Sequence, residues 1–404
     1  MQRPPSLRAA AATIDLDALA ANLARLEEVV RSKGLSGLRA VVKADAYGHG
    51  AARVARHLAQ RGVERFAVAL VEEGIELRRA GITGDILIMG PCLPEQRQVV
   101  EAERLVPTVS SAGQLDAWTA YEPIAGRLPV HVKVNTGMNR LGIPPADLPD
   151  VLAAVRRSRS LELVGLMTHL ADASEPESAQ NRRQLDRFSE LLDELDDETR
   201  RHLEIHLANS AALLHQERRG ASVARPGLAL LGYDPAGLDR DLRPVMSVTA
   251  RLVQVHRLAP GERVGYGGRW QAARPCRVGI VPVGYADGYP WRLGDRSAAL
   301  VGGRRVPVVG AVSMDMLAVD LGDAEVDEGE EVVLLGRQGA ASIDAAELAA
   351  TAGTVPYELL CNLGLRLPKL YREAGETIAI VRRAVSEHSL DGSAPPSTAP
   401  GSDR

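Results

Sequence analysis

The residues of this chain best suited to chemistry stand where short apolar runs give way to polar, glycine-rich sequence. In "AVVKADAYGHG" (40–50), two valines lead into Lys43, and Tyr47 follows four residues on. Lysine is rarely buried without a partner. Partly desolvated, it has a lowered pKa and becomes a nucleophilic amine. Other runs end similarly. "PVHVKVN" (129–135) carries Lys133 and is followed by Arg140; "ELVGLMTH" (162–169) ends at His169. "LEIHLAN" (203–209) carries His206 and ends at Asn209, with Ser210 next, and "SVARPG" (222–227) carries Arg225 and Gly227. Any one of these could be a strand-end residue reaching water. Together, at corresponding places, they describe the rim of one site.

An amine of this kind can hold an aldehyde cofactor such as pyridoxal phosphate as a Schiff base. Ser210 offers a hydroxyl to a phosphate, Gly227 allows close backbone approach, and Tyr47 could add a phenol. The chain has no GxxxxGK[ST] loop and no Rossmann glycine fingerprint, so an aldehyde phosphate fits better than a nucleotide.

These positions need a scaffold. About eight Val/Ile/Leu-rich runs alternate with helical patterns through the first 235 residues. Continuous apolar runs suit parallel strands buried on both faces. The pattern predicts an α/β fold, a (β/α)8 TIM-type barrel over 10–240, whose site lies at the strands' C-terminal ends. Ten βα units or a doubly wound sheet remain open on pattern alone. "AARVARHLAQRG" (51–62) predicts one of the helices, stopping at Gly62. After "GLDRDLRPVM" (237–246), strand-like runs follow one another closely and predict a mainly antiparallel β domain over 241–385. It contains one helix candidate, 342–353, with Ser342 and Asp344 as candidate caps. The early strand "ATIDLD" (12–17) has no barrel role and is expected to pair with that later domain. The Ser/Pro/Gly-rich tail, 386–404, is expected to be disordered.

Composition narrows the function. A net charge of -4 argues against nucleic acid as a partner. Three cysteines, Cys92, Cys276 and Cys361, give neither a disulfide framework nor a zinc pair. They fit a reduced cytoplasm. No secretory signal and no membrane-length apolar run is seen, so no membrane partner is expected. No metal set is apparent: His49 and His57 read as surface or helical residues, and Cys361 reads as core.

The chain resembles the alanine racemases, the fold-type III pyridoxal-phosphate family. The resemblance is carried by "AVVKADAYGHG", "HVKVNTGMNRLG" (131–142), "LMTHL" (166–170), "IHLANSAA" (205–212), "ARPGLALLGY" (224–233), "VGYGGRW" (264–270), "VGYADGYP" (283–290), "GAVSMDM" (310–316) and "VPYELLC" (355–361). It covers roughly residues 10 to 375. It implies that Lys43 carries the cofactor and is one of two catalytic bases. Tyr266 is implied as the second, reaching the barrel of the other subunit of a homodimer. Tyr47, Ser210, Gly227, Leu228 and Tyr357 match phosphate-contacting positions, and Asn209 adjoins them. Arg225 matches the residue facing the pyridine nitrogen; His169 and His206 match histidines near the ring. Arg140 and Met314 match contacts to the substrate carboxylate, with Tyr285 near the substrate. Lys133 matches a lysine often found as a carbamate.

The chemistry of these residue types agrees. Racemisation takes a proton from one face of a planar carbon and returns one to the other, which two opposed bases do most directly. A phenol titrates near ~10 unaided, so a phenolic base needs a neighbouring cation, for which a positive network of His169 and Arg225 is the candidate. A guanidinium cannot accept the ring proton, which weakens the electron sink and argues against a decarboxylase. An ammonium at Lys133 would repel Arg140; carbamylation would turn it into an acceptor. Asn135, Ala311 and Ser313 depart from residues common in the family and bear on the entrance. The expected activity is L-/D-alanine interconversion supplying D-alanine for peptidoglycan. The alternatives are a broader racemase for serine or larger amino acids, or a non-catalytic pyridoxal-phosphate binder, which the β domain speaks against.

Overall fold

Seven strands of the N-terminal half pair in parallel and in chain order: Ala40–Val41, Arg65–Val68, Asp85–Ile88, Val106–Val109, Leu128–Lys133, Leu161–Met167 and Glu204–His206. The computed structural model describes residues 8–120, 126–364 and 366–381. An eighth strand, Val223–Ala224, pairs in parallel with Gly37–Leu38, immediately upstream of the first. The N–H groups of Ser222 and Arg225 donate to the carbonyls of Ile205 and Ala208, and those of Arg39 and Val41 to Ala224 and Pro226. The predicted barrel is therefore closed by an eighth strand outside the seven-stranded ladder. The first strand is divided at Arg39, and its two halves serve different neighbours, as the stagger of a closed barrel requires.

The runs form these strands because they are apolar on both faces. Phe66, Ala67, Val68, Ile86, Leu87 and Ile88 are all fully buried between the barrel interior and the surrounding helices. The helix Leu16–Ser32 starts where the Asp15 carboxylate accepts the Ala18 N–H at 2.9 Å. It buries Leu19, Leu23, Leu26 and Val30 on one face. The helix Ala51–Ala59 does the same with Val54, Ala55 and Leu58.

The second half is a mostly antiparallel sheet, and the chain's first strand lies inside it. Ala10–Asp15 pairs antiparallel with Met246–Arg251 and parallel with Lys369–Glu373. Asp344, not Ser342, caps the helix Ala345–Ala352, accepting the Glu347 N–H at 2.7 Å. Ser342 lies in the strand Ala341–Ile343. Residues 382–385 of the expected domain and the tail 386–404 lie outside the described residues. The apolar core runs unbroken from the barrel into this sheet, and the helix Pro356–Asn362 packs on the barrel rim. There a Cβ on Gly48 would overlap the Leu360 carbonyl oxygen. No helix among the described residues is long and apolar enough to cross a membrane.

Candidate active site

Lys43 stands at the mouth of the barrel, and the chain beyond it does something its sequence does not announce. The strand is Ala40–Val41, and the Val42 N–H still pairs with the Ala67 carbonyl of its neighbour at 2.9 Å. Ala44, Asp45, Ala46 and Tyr47 all have φ between 51° and 53°, one turn of left-handed helix closed by a 2.9 Å bond from Ala46 N–H to Val42 O. None is glycine, so the turn costs roughly 1–2 kcal/mol per residue and persists only because its surroundings over-determine it. The Glu73 carboxylate accepts the N–H groups of Ala44 (2.6 Å), Ala69 (2.7 Å) and Leu70 (3.0 Å). Asp45 accepts the Ala51 N–H at 2.7 Å and the Lys369 ammonium at 2.9 Å. His49, expected at the surface or in a helix, is fully buried. Its Nδ1 faces the Ala46 and Tyr47 carbonyls at 3.1 and 3.0 Å, so that nitrogen carries the hydrogen, and burial lowers the ring's pKa to about 4. His57 is helical as expected but also buried.

The turn brings Lys43 and Tyr47 to one side. Burial lowers the pKa of the Lys43 amine, and the nearby Arg140 and Arg225 guanidiniums add to this; Glu73 and Cys361 oppose it. The Tyr47 hydroxyl lies where a Cβ on Gly227 would overlap it. Its ring tilts at 55° to that of Tyr357, with centroids 6.0 Å apart. Burial raises both phenols, Tyr357 to about 12, so both stay protonated and can donate. Beside them the Ser210 hydroxyl oxygen accepts the N–H groups of Gly227 (3.0 Å) and Ala229 (3.1 Å). Asn209 serves the next helix, accepting the Ala212 N–H at 3.0 Å, and Leu228 is buried between the two donors. A cleft of about 510 Å³ opens here, lined in part by His169, Asn209, Leu228, Tyr233 and Tyr357.

Arg225 is buried in the barrel interior, its pKa lowered to about 10 by desolvation. It donates to His206 Nδ1 at 2.7 Å and to the Thr168 carbonyl at 2.9 Å, and lies 3.4 Å from His169 Nδ1. A guanidinium only donates, so His206 carries its hydrogen on Nε2, which points to His131 Nδ1 at 2.7 Å. Burial and Arg225 hold both His206 and His169 well below the usual imidazole range. The expected positive network therefore contains one cation, Arg225; His169 is neutral. Lys133 is 5% exposed, and its pKa falls to about 8 through burial and the charges of Arg140, Arg225 and Lys43. Arg140 lies exposed on a loop that Asn135 shapes, its side-chain oxygen accepting the Gly137 and Asn139 N–H groups at 3.2 and 2.9 Å.

Three expected site residues are exposed on the β domain. Tyr266 is 77% exposed, Tyr285 45% and Met314 52%. Tyr266 has no hydrogen-bond or ring partner among the described residues. Glycines with positive φ flank it at 265, 267 and 268, which lets the loop project. Tyr285 N–H donates to Ser313 O at 3.0 Å and Ala286 N–H to Met314 O at 3.0 Å, so the segments carrying Tyr285 and Met314 lie side by side in the β domain.

Sequence reasoning missed the barrel floor. Arg39, fully buried, donates to both Glu204 oxygens at 3.0 and 2.9 Å and to Asp85 at 2.7 Å. A charge inside each of the runs "LRAVVK" and "LEIHLAN" was the available signal, since such residues are buried only when paired. His131, Glu204 and His206 bring ligand atoms within 4.8 Å of one another. A cation there would compete with Arg39 for the carboxylate and with Arg225 for His206. Glu73 was missed as well.

A lysine with a lowered pKa, a cluster of hydroxyls and N–H groups, and a buried guanidinium are the groups that could hold a small phosphorylated carbonyl compound at the barrel mouth. The residues present fit pyridoxal phosphate: glycine at 227 lets the Tyr47 hydroxyl pack where a Cβ would overlap it, and the donors gathered there are unsuited to a cation. Family models described as alanine racemase, N-terminal domain and alanine racemase, C-terminal domain match residues 14–235 and 245–371. The chain is 42% identical over 370 residues to the alanine racemase of Sorangium cellulosum, covering 87% of this chain and 98% of that protein. Among solved structures, it is similar to the Bacillus anthracis alanine racemase with bound L-Ala-P (TM-score 0.85, 31% identity, 94% of this chain and 99% of that one). It is also similar to the Bartonella henselae alanine racemase with covalently bound pyridoxal phosphate (TM-score 0.81, 28% identity, 91% and 100%). The chain belongs to the alanine racemase family. It is an isomerase that interconverts L- and D-alanine.

Proposed function

We propose that the chain holds pyridoxal phosphate on Lys43 and racemises alanine with two bases, Lys43 and Tyr266, acting from opposite faces. The observation that carries this is the desolvated Lys43 amine beside the Tyr47, Ser210, Gly227, Leu228 and Tyr357 cradle. When bound, the cofactor supplies the electron sink that makes the substrate's α-proton removable. The chain's own residues do the rest. Lys43, its pKa lowered, is the base on one face. Tyr266 is the base on the other, delivered by a second copy. Arg225 presents an N–H that cannot take up a proton, which keeps the sink weak and the proton exchange brief. His206 and His131, both neutral, hold Arg225 in place, with His169 beside it. Arg140 and the Met314 segment bind the substrate carboxylate, and Tyr285 closes the substrate side.

The homodimer is supported by the exposed aromatic and thioether side chains Tyr266, Tyr285, Trp291, Met314 and Met316 on the β domain. Large apolar side chains exposed together on one domain suit an interaction face. Three unpaired cysteines fit a reducing cytoplasm, where the D-alanine made would enter peptidoglycan synthesis.

The test is a circular dichroism assay of the cofactor-loaded protein with L-alanine, D-alanine, serine and larger amino acids. Alanine is expected to reach a racemic mixture from either side, faster than the others. A loaded protein that leaves both alanine enantiomers unchanged would be a binder and not a racemase.

Lys133 has a role the same site suggests. Its pKa, lowered to about 8 by burial and three neighbouring cations, leaves a sizeable neutral fraction at pH 7.5. That amine attacks carbon dioxide: an N–C bond forms, one C=O electron pair moves to oxygen, and the nitrogen releases a proton. The resulting carbamate faces Arg140 as a carboxylate would. Protein equilibrated with ¹³C-bicarbonate is expected to show one carbamate resonance that is lost in Lys133→Gln. A spectrum identical in both proteins would show that Lys133 stays an amine.

A further inference from the structure

We infer that Glu73 is a positioning residue for the racemase reaction: its carboxylate ties the turn after Lys43 to the next strand's loop and so aims the Lys43 amine into the barrel mouth. This rests on the assignment of Lys43 as the cofactor-bearing base.

The geometry is direct. Lys43 is followed by the left-handed residues Ala44 to Tyr47, and the first N–H of that stretch, Ala44, meets Glu73 Oε1 at 2.6 Å. The other carboxylate oxygen takes the Ala69 and Leu70 N–H groups at 2.7 and 3.0 Å. Those residues follow the second barrel strand, Arg65–Val68. One side chain thus clamps the exits of two adjacent strands. Residues of types that disfavour positive φ hold it only under tertiary constraint, and Glu73 supplies the constraint nearest Lys43. Asp45, with Ala51 and Lys369, holds the middle of the turn; His49 holds its end. A relaxed turn would swing Lys43 toward water and part it from Tyr47.

Glu73 also carries a negative charge near the amine, so its two effects must be separated. The groups that act on Lys43 are Arg140 from the loop after the fifth strand, Arg225 from the eighth strand, Cys361 from the C-terminal helix, and Glu73 itself. Lys133, on the fifth strand, feels Lys43 in turn. Burial is the largest influence and lowers the amine's pKa; the Glu73 charge raises it. Loss of position and loss of charge therefore move Lys43 in opposite directions. If Glu73 acts through position, releasing the turn exposes the amine and its titration midpoint rises. If it acts through charge alone, Glu73→Ala lowers the midpoint and Glu73→Asp, which keeps the charge, leaves it unchanged.

The experiment is competitive acylation of full-length protein stripped of cofactor, across pH 7 to 11, with Lys43 quantified by mass spectrometry. Wild type is compared with Glu73→Asp and Glu73→Ala. Glu73→Asp keeps the charge on a side chain one methylene too short to span both loops. It is expected to raise the Lys43 midpoint by about one unit. Glu73→Ala is expected to raise it less, because the lost charge offsets part of the exposure. A midpoint in Glu73→Asp equal to or below that of wild type overturns the inference, whatever Glu73→Ala does and even if that variant fails to fold. The midpoint is a property of the amine in the cofactor-free chain. If borohydride instead fixes the cofactor to another residue, the assignment of Lys43 fails on that separate result.

Discussion

Lys43→Ala is expected to fold, to give no borohydride-stable cofactor adduct on the 40–50 segment, and to interconvert alanine enantiomers at least about 10⁴-fold more slowly than wild type. The fold should survive because Lys43 stands at the rim, past the paired residues Ala40–Val41, and is not one of the buried core residues. The activity should not, because two functions leave together: the amine that holds the cofactor and the base on one face of the substrate carbon. A positioned base alone typically contributes 10²–10⁴-fold. The loss should also be lopsided. With one base gone, exchange of the α-proton with solvent should fall most for the enantiomer whose proton faces Lys43, and the Tyr266 face should keep the larger residue. Stripped of Lys43, Lys133 is the nearest remaining amine with a lowered pKa. Rates measured in D₂O for each enantiomer, with peptide mapping after borohydride, check both points. Wild-type rates in Lys43→Ala, or a wild-type adduct located elsewhere, would remove Lys43 from the mechanism.

How far the site could be read from the sequence follows from what each residue depends on. Lys43, Lys133, His169, His206 and Arg225 were legible because strand periodicity puts chemistry-bearing residues at the ends or inner faces of apolar runs, and the barrel collects those places on one side. The turn after Lys43 was not legible. Ala and Tyr have no left-handed preference and Asp only a weak one, and the carboxylate that imposes it lies beyond the second barrel strand, in the helix Val71–Arg79. His49 illustrates the same limit: polar and beside two glycines, it reads as a surface or helical residue, yet it is buried because its Nδ1–H answers two carbonyls that the turn directs inward. His169 was read as a cation beside Arg225, but burial first, and the Arg225 charge after it, hold the ring well below the usual imidazole range. Arg39 and Glu204 were not singled out in the sequence, because the partners that make the buried guanidinium tolerable, Glu204 and Asp85, come from distant strands.

The last gap is one that no single chain can close, and it gives the other large effect. Tyr266 is 77% exposed on a loop of the β domain flanked by glycines with positive φ. If the site is composite, each barrel borrows its tyrosine from the second copy. Two inactive variants should then complement each other. In Lys43→Ala mixed equally with Tyr266→Phe and reassembled at random, half the dimers are hybrids. In each hybrid, one site carries both defects and the other carries neither, because the barrel with an intact lysine meets the partner copy that kept its tyrosine. About a quarter of the wild-type site number should therefore reappear from two parents with almost none, as the two-fold symmetry of an isologous dimer requires. Neither variant should regain activity when its own concentration is raised, and the recovered activity should follow the kinetics of subunit exchange. If Lys43 and Tyr266 served the same chain's site, both sites of every hybrid would be defective and mixing would restore nothing. Full recovery is excluded by either arrangement, so the yield itself distinguishes them.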